Sequence, residues 1–281
     1  MPPPSRWATR SSPTSRRSSP RGRCSRRPTA PLPIRRGSRR TSYARPGADA
    51  RLSISSAWRH RLAIGPDGDP FLIEQFRRLA ATLHQAHQAQ GLRSIMVTSA
   101  TAGDGKTMTA INLALVLAES YRYRVLLIDA DLRRPSIANV VELGGGSGLS
   151  EALRAATPQK LALAQLTPNL SLLPAGGPTM NSIEALVSPR MQQILEEATA
   201  SFDWVILDAP PVGLTADARL LSQMAGGTLF VIRAGKSQCT DVQKAVDMVG
   251  RDQILGVVLN DVEATDTDSY YYVAGNTDDT R

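Results

Sequence analysis

The stretch Ser94-Ile-Met-Val-Thr-Ser-Ala-Thr-Ala-Gly-Asp-Gly-Lys-Thr107 decides how the chain folds. An apolar run of strand length leads into small residues, and then into Gly103, Gly105, Lys106 and Thr107 at the head of an apolar-periodic segment. Strand, glycine loop and helix in that order make a phosphate-binding loop. The glycines let successive backbone N–H groups converge on phosphate oxygens, and the helix N-terminus adds positive potential. Ala102, Gly103, Asp104, Gly105, Lys106, Thr107 and Met108 are therefore expected to cradle a nucleoside triphosphate. Lys106 would reach the β and γ phosphates, and Thr107 would offer its hydroxyl to Mg²⁺. Ala100 stands at the motif's first position, where a small residue still permits the turn.

Two further strand ends carry carboxylates. Val125-Leu-Leu-Ile-Asp-Ala-Asp-Leu-Arg-Arg-Pro135 closes on Asp129 and Asp131, which project to one side of an extended chain. Trp204-Val-Ile-Leu-Asp-Ala-Pro-Pro211 closes on Asp208, and its two prolines stop the strand. Mg²⁺ takes hard oxygens and keeps several waters, so Thr107, Asp131 and Asp208 are the expected metal residues. Asp129 is the expected proton acceptor, with the reverse assignment of Asp129 and Asp131 left open.

Around these motifs, strand-like and helix-like segments alternate. Helical spacing is expected over 71–90, 106–120, 182–200, 215–225 and 240–250, and short β-branched runs fall at 94–99, 125–129, 170–173, 204–208, 229–233 and 254–260. Near-continuous apolar strands between amphipathic helices predict a doubly wound, mostly parallel α/β sheet with helices on both faces. Ligands then belong at the strand carboxyl ends.

Charge divides the chain. The formal net charge of +8 combines +15 from residues 1–61, which hold 16 Arg and one acid, with −7 from the remainder. The Arg/Ser/Pro-rich arm lacks apolar periodicity and is expected to be disordered. A folded P-loop body is expected over 62–262, followed by an acidic tail over 263–281. No run of about 18 apolar residues exists to cross a membrane. Cys24 and Cys239 are the only cysteines, which excludes a disulfide framework and suits a cytoplasmic setting. His84 and His87 form an incomplete zinc site and are expected to face solvent. The run Gly144-Gly-Gly-Ser-Gly148 reads as a flexible loop.

Together, Ala100-x-x-Gly103-x-Gly105-Lys106-Thr107, Asp129-Ala-Asp131-Leu-Arg133-Arg134-Pro135 and Asp208-Ala-Pro210-Pro211 resemble the bacterial tyrosine kinases, cytoplasmic autokinases of capsule and exopolysaccharide export. The resemblance runs from about Pro70 to Asn260. It implies ATP as phosphoryl donor with Mg²⁺, and Tyr270, Tyr271 and Tyr272 as phosphate acceptors. It also implies Lys106, Asp129, Asp131 and Arg133 as catalytic residues, Arg133 acting on phosphate charge or on a neighbouring subunit's tail. A separate membrane adaptor or co-polymerase is the implied partner, placing the chain at the inner face of the plasma membrane; no specific nucleic acid is expected. The family's Glu-x-x-Arg-x-x-Arg assembly motif is matched at Glu74 and Arg77, but the third position is Ala80. Asn260, at a strand end, is a candidate for the adenine pocket.

Two other readings share the phosphate loop. A partitioning or division-site ATPase would carry a lysine five residues before Lys106, where this chain has Thr101. A non-catalytic nucleotide sensor would not need all three carboxylates.

Overall fold

The structure, a computed structural model, describes residues 43–44, 55, 57–63, 68–143, 146–155 and 160–262. Its centre is a seven-stranded sheet: β1 (Ser94–Ser99), β2 (Val125–Asp129), β3 (Ala164–Thr167), β4 (Leu170–Leu173), β5 (Trp204–Asp208), β6 (Thr228–Arg233) and β7 (Ile254–Asn260). The spatial order is β3-β4-β2-β5-β1-β6-β7, and every pairing is parallel except the antiparallel edge pair β3–β4. The doubly wound, mostly parallel sheet expected from the alternation of strands and helices is what forms.

The helices are α1 (Pro70–Gln90), α2 (Lys106–Ser120), α3 (Ile137–Val140), α4 (Leu149–Arg154), α5 (Ser182–Leu186), α6 (Pro189–Ser201), α7 (Asp217–Met224) and α8 (Cys239–Val249). Period-two alternation assigns the faces. Val125, Leu127, Trp204 and Ile206 pack with α1 and α2 in one core layer, while Leu126, Ile128, Val205 and Leu207 pack with α4, α6 and α7 in the other. Helix α2 is buried from Thr109 to Ala118, between the sheet and α1, which is why its sequence is apolar nearly all round.

Strand β5 lies between β1 and β2, and its register brings the chemistry together. Asp208 stands opposite Asp129 on one side and Val97 on the other. The loop after β1 and the acids of β2 and β5 thereby meet at one edge of the sheet.

Two local expectations are corrected. The helix expected over 182–200 is two helices, broken at Ser188 and Pro189. Proline has no N–H to continue a helix and pushes the preceding residue to extended backbone (Ser188 φ −67°, ψ 146°), whose hydroxyl then caps the Met191 N–H. His84 and His87 do not face solvent: His84 lies 2.6 Å from the Tyr123 hydroxyl, and His87 bonds the Leu92 carbonyl at 2.7 Å and leans on the Trp204 ring. Short structure is described on both sides of the boundary expected at residue 61. A 3₁₀ turn forms at Arg59–Arg61, and Leu62 and Ala63 are buried in the α1/α2 layer. The acidic tail, Tyr270, Tyr271 and Tyr272 lie outside the described residues, as do Gly144 and Gly145. Gly148 is packed closely: a Cβ there would sit 2.3 Å from the backbone of Pro174 and Gly176.

Leu127 is fully buried between β4 and β5. Leu127→Ala should lower stability by about 2 to 5 kcal/mol. Met180→Ala, at a position 81% exposed, should change it by less than about 0.5 kcal/mol. Urea denaturation with unchanged m-values checks both.

Candidate functional site

The site is built on Gly105, whose φ of +99° is left-handed and which serves as N-cap of α2. A Cβ there would come within 2.0 Å of the Asn260 side-chain nitrogen, so another residue would be strained by the backbone and would displace the Asn260 amide. Asn260 Nδ2 donates to the Asp104 carbonyl at 2.9 Å. The Asp104 carboxylate, almost fully buried, accepts from the Thr101 N–H at 3.0 Å, from the Thr101 hydroxyl at 3.1 Å and from the Ser237 hydroxyl at 2.9 Å. The loop's one acid is thus turned inward as a strut, which keeps its charge off the phosphate side.

Lys106 Nζ lies 3.2 Å from Asp131 Oδ2, 3.7 Å from Asp208 Oδ1 and 3.5 Å from Thr107 Oγ1. Burial alone would lower the lysine's pKa. The fields of Asp208 and Asp131 outweigh it, and the net shift is upward, so Lys106 is firmly cationic. Asp208 is nevertheless raised too, because its complete burial and the like charge of Asp131 exceed what Lys106 and Thr107 give back. Thr107 donates its hydroxyl to Asp208 Oδ2 at 2.7 Å and shares a 2.9 Å hydrogen bond with Ser136. Asp208 Oδ1 is buried without a hydrogen-bond partner among the described residues.

Asp129 and Asp131 have different surroundings despite their spacing. Asp129 Oδ2 accepts the N–H groups of Ser136 and Ile137, each at 3.1 Å, and Oδ1 accepts the Asp131 N–H at 3.3 Å. Asp131 Oδ1 caps the Arg134 N–H at 3.0 Å, while its Oδ2 faces Lys106. Asp129 is therefore the acid that folds the 131–137 loop, and Asp131 the acid that meets the phosphate lysine. Burial, then the neighbouring Asp208, push the Asp129 carboxyl up to about 7 against the pull of its two N–H donors.

Arg133 sits apart from the lysine cluster: its Nε donates to Asp217 Oδ2 at 2.9 Å, an acid buried at the start of α7. Glu74 lies 3.9 Å from Arg77 and 3.7 Å from Arg78 on the solvated side of α1, whereas Ala80 is fully buried. The third position of that motif is a core position in this chain. Beside Gly103 and Gly105, a cavity of about 340 Å³ opens between α1, α2 and the end of β7, with Asn260 in its wall.

Ser136, Ser237, Asn112 and Asp217 are site residues that no pattern in the sequence singles out. Ser136, Ser237 and Asp217 each belong to a loop or helix start, and Asn112 lies inside α2. Ser237 in particular is 133 positions from the acid it holds.

The chain's similarity to known proteins fits this arrangement. The family profile described as ParA, "NUBPL iron-transfer P-loop NTPase", matches residues 92–272. The tyrosine-protein kinase YwqD of Bacillus subtilis (strain 168) is 34% identical over 202 residues, covering 71% of this chain and 85% of that protein. This chain belongs to the bacterial tyrosine-kinase family. The succinoglycan biosynthesis transport protein ExoP of Rhizobium meliloti (strain 1021) is 32% identical over 204 residues, which are 70% of this chain but only 26% of ExoP. Among solved structures, the chimerical protein CapA2B2 superposes with a TM-score of 0.67 at 26% identity, over 76% of this chain and 94% of that one. The P-loop NTPase fold shared with these relatives implies nucleotide binding. No helix among the described residues is long and apolar enough to cross a membrane.

The raised Asp129 pKa has a defined sign for stability. The folded state holds this proton more tightly than the unfolded chain, whose carboxyl titrates near 3.8, so stability falls as pH rises from about 4 through 7. One such proton contributes a slope of at most about 1.4 kcal/mol per pH unit. Nucleotide-free protein should unfold more easily at pH 8 than at pH 5.5, and Asp129→Asn should flatten that dependence. Asp208, raised in the same direction, should leave a residual slope. Equal slopes for wild type and variant in thermal unfolding across this range would contradict the assignment.

Proposed function

We propose that this chain is an ATP-dependent protein tyrosine kinase that phosphorylates its own C-terminal tyrosines and regulates polysaccharide polymerisation and export. The observation that carries the reading is the Lys106 ammonium held between Asp131 and Asp208, with the Thr107 hydroxyl alongside, where the β1 loop meets the ends of β2 and β5. The names of YwqD and ExoP support the activity and the pathway respectively.

In this reading Lys106 leaves its carboxylates for the β and γ phosphates, and the loop amides from Ala102 to Met108 hold the remaining oxygens. Thr107 and Asp208 are the residues that would hold Mg²⁺. A hydroxyl and a buried carboxylate, whose Oδ1 accepts no hydrogen bond and faces only the Lys106 ammonium at 3.7 Å, are hard oxygen donors of the kind this ion takes. When bound, the ion neutralises charge on the β and γ oxygens. The phenol oxygen of Tyr270, Tyr271 or Tyr272 attacks the γ phosphorus, the bond to the bridging oxygen breaks, and ADP leaves. Asp131, the acid at Lys106, takes the phenolic proton, and Asp129 positions it by accepting the Asp131 N–H; the geometry thus favours the reverse of the assignment first expected. Arg133, oriented by Asp217, is available for phosphate charge or for an incoming tail. A membrane protein of the export machinery is the proposed partner, recruiting the chain to the inner face of the membrane, and Glu74 and Arg77 are candidates for contact with a second copy.

The ParA profile favours a second reading, an ATPase whose hydrolysis switches dimerisation. Against it, Thr101 occupies the position of the signature lysine and is tied to the Asp104 strut.

Mapping phosphosites after incubation with Mg-ATP tests the proposal. Tyr270, Tyr271 and Tyr272 should carry phosphate in the wild type and none in Lys106→Met of unchanged circular dichroism. Asp131→Asn should slow the reaction by about 10²-fold or more. Phosphotyrosine persisting in purified Lys106→Met, or ATP consumed with every tyrosine unmodified, would remove the kinase reading.

A further inference from the structure

The short segment ahead of α1 is fastened to the phosphate-loop helix. Asn112, on α2, accepts the Ala63 N–H at 2.8 Å through Oδ1 and donates through Nδ2 to the Arg61 carbonyl at 2.9 Å. A nearly buried side-chain amide thus has both its ends taken up by the backbone of residues 61–63. The same segment is tied on its other side, where the Ser55 N–H bonds the Val140 carbonyl at 3.1 Å and Trp58 packs against the core layer.

The clamp delivers His60 and Arg61 to the cavity beside Gly103 and Gly105. Phe76 and Met108 form the apolar part of its wall, and Asn260 stands at its rim. The Arg61 guanidinium lies over the Trp58 ring, 5.3 Å from its centroid, and donates from Nε to His60 Nε2 at 3.3 Å. Planar groups are thereby gathered on one side of a cavity that begins where the phosphate loop ends. Its volume of about 340 Å³ falls in the range of small-molecule sites, and planar rings and guanidinium groups are what stack on a nucleobase.

We infer that residues 58–63 are a working part of the nucleotide site, with His60 and Arg61 forming a wall against the base and ribose while the phosphates lie on the loop. The inference rests on the nucleotide part of the reading above and extends the site to the segment ahead of α1. The last residues of the basic arm are then linked to occupancy: whatever pulls on the arm also pulls on a wall of the site.

The test is calorimetric titration of full-length wild type and the His60→Ala/Arg61→Ala double variant, with ATP and with inorganic triphosphate, both in the presence of Mg²⁺. Both positions are solvent-exposed, so the fold should survive the change. The variant should bind ATP about tenfold more weakly, in the range that loss of stacking on a base produces, and bind triphosphate as the wild type does. ATP affinity equal to wild type would overturn the inference. Equal weakening for ATP and triphosphate would overturn it as well, since the segment would then act through general charge. Because binding is read rather than turnover, a chain that shows the expected pattern and leaves its tyrosines unmodified would sink the kinase reading while this one stood.

Discussion

The constraint on which the site depends is a single ammonium group. Lys106 is nearly buried, and a lone charge in that position would be strongly unfavourable. Asp131 and Asp208 remove the penalty, but they are themselves buried and repel each other. Each of the three charges is tolerable only because the others are there. Removing one partner of such a cluster is more damaging than exchanging the whole for apolar groups, because it leaves an uncompensated charge in the interior. The arrangement is unfavourable for folding and suited to chemistry. In the proposed reading, a triphosphate would carry the charge needed to draw the lysine off its acids, which would then face the incoming ion and phenol.

Around this cluster the polypeptide supplies stiffness through backbone donors. The N–H groups of Asp131, Ser136 and Ile137 converge on Asp129, and Asp131 holds the Arg134 N–H. Asp104 is fixed by Thr101 and Ser237. Carboxylates satisfied by several donors are held in place more firmly than free ones. The two acids with no direct claim on phosphate, Asp104 and Asp129, are the ones most completely occupied in this way. That division of labour separates loop-building acids from reactive ones within a few residues of each other.

Much of this was legible in the sequence for physical reasons. The phosphate loop could be read because only glycine accepts the backbone at Gly105, and the strand ends could be read because parallel strands buried on both faces must be continuously apolar. Identity at Asp129 and Asp131 was readable, but their division of roles was not. It depends on which carboxylate the Ser136 and Ile137 amides reach, and that is set by how the chain turns after Pro135. Ser237 and Asn112 were illegible because their partners lie far away in sequence, and a serine or asparagine in a loop or helix carries no signature of its target. The break at Ser188 was readable in principle, since proline announces it, but helical periodicity on both sides masked it. The placement of His84 and His87 could not be read from α1 alone, because Tyr123 and Trp204 come from other elements.

Strand β5 is enclosed by β1 and β2, with Asp208 as its last residue opposite Asp129. A slip of one residue in that ladder would turn Asp208 to the opposite face and carry Val205 and Leu207 into the wrong core layer. This buried acid therefore inherits the rigidity of the whole interior and cannot drift without melting it. Evolution of new chemistry on this scaffold is channelled accordingly: the loops that grip and present substrates can be rewritten freely, while the anchor beneath them is as immutable as the fold.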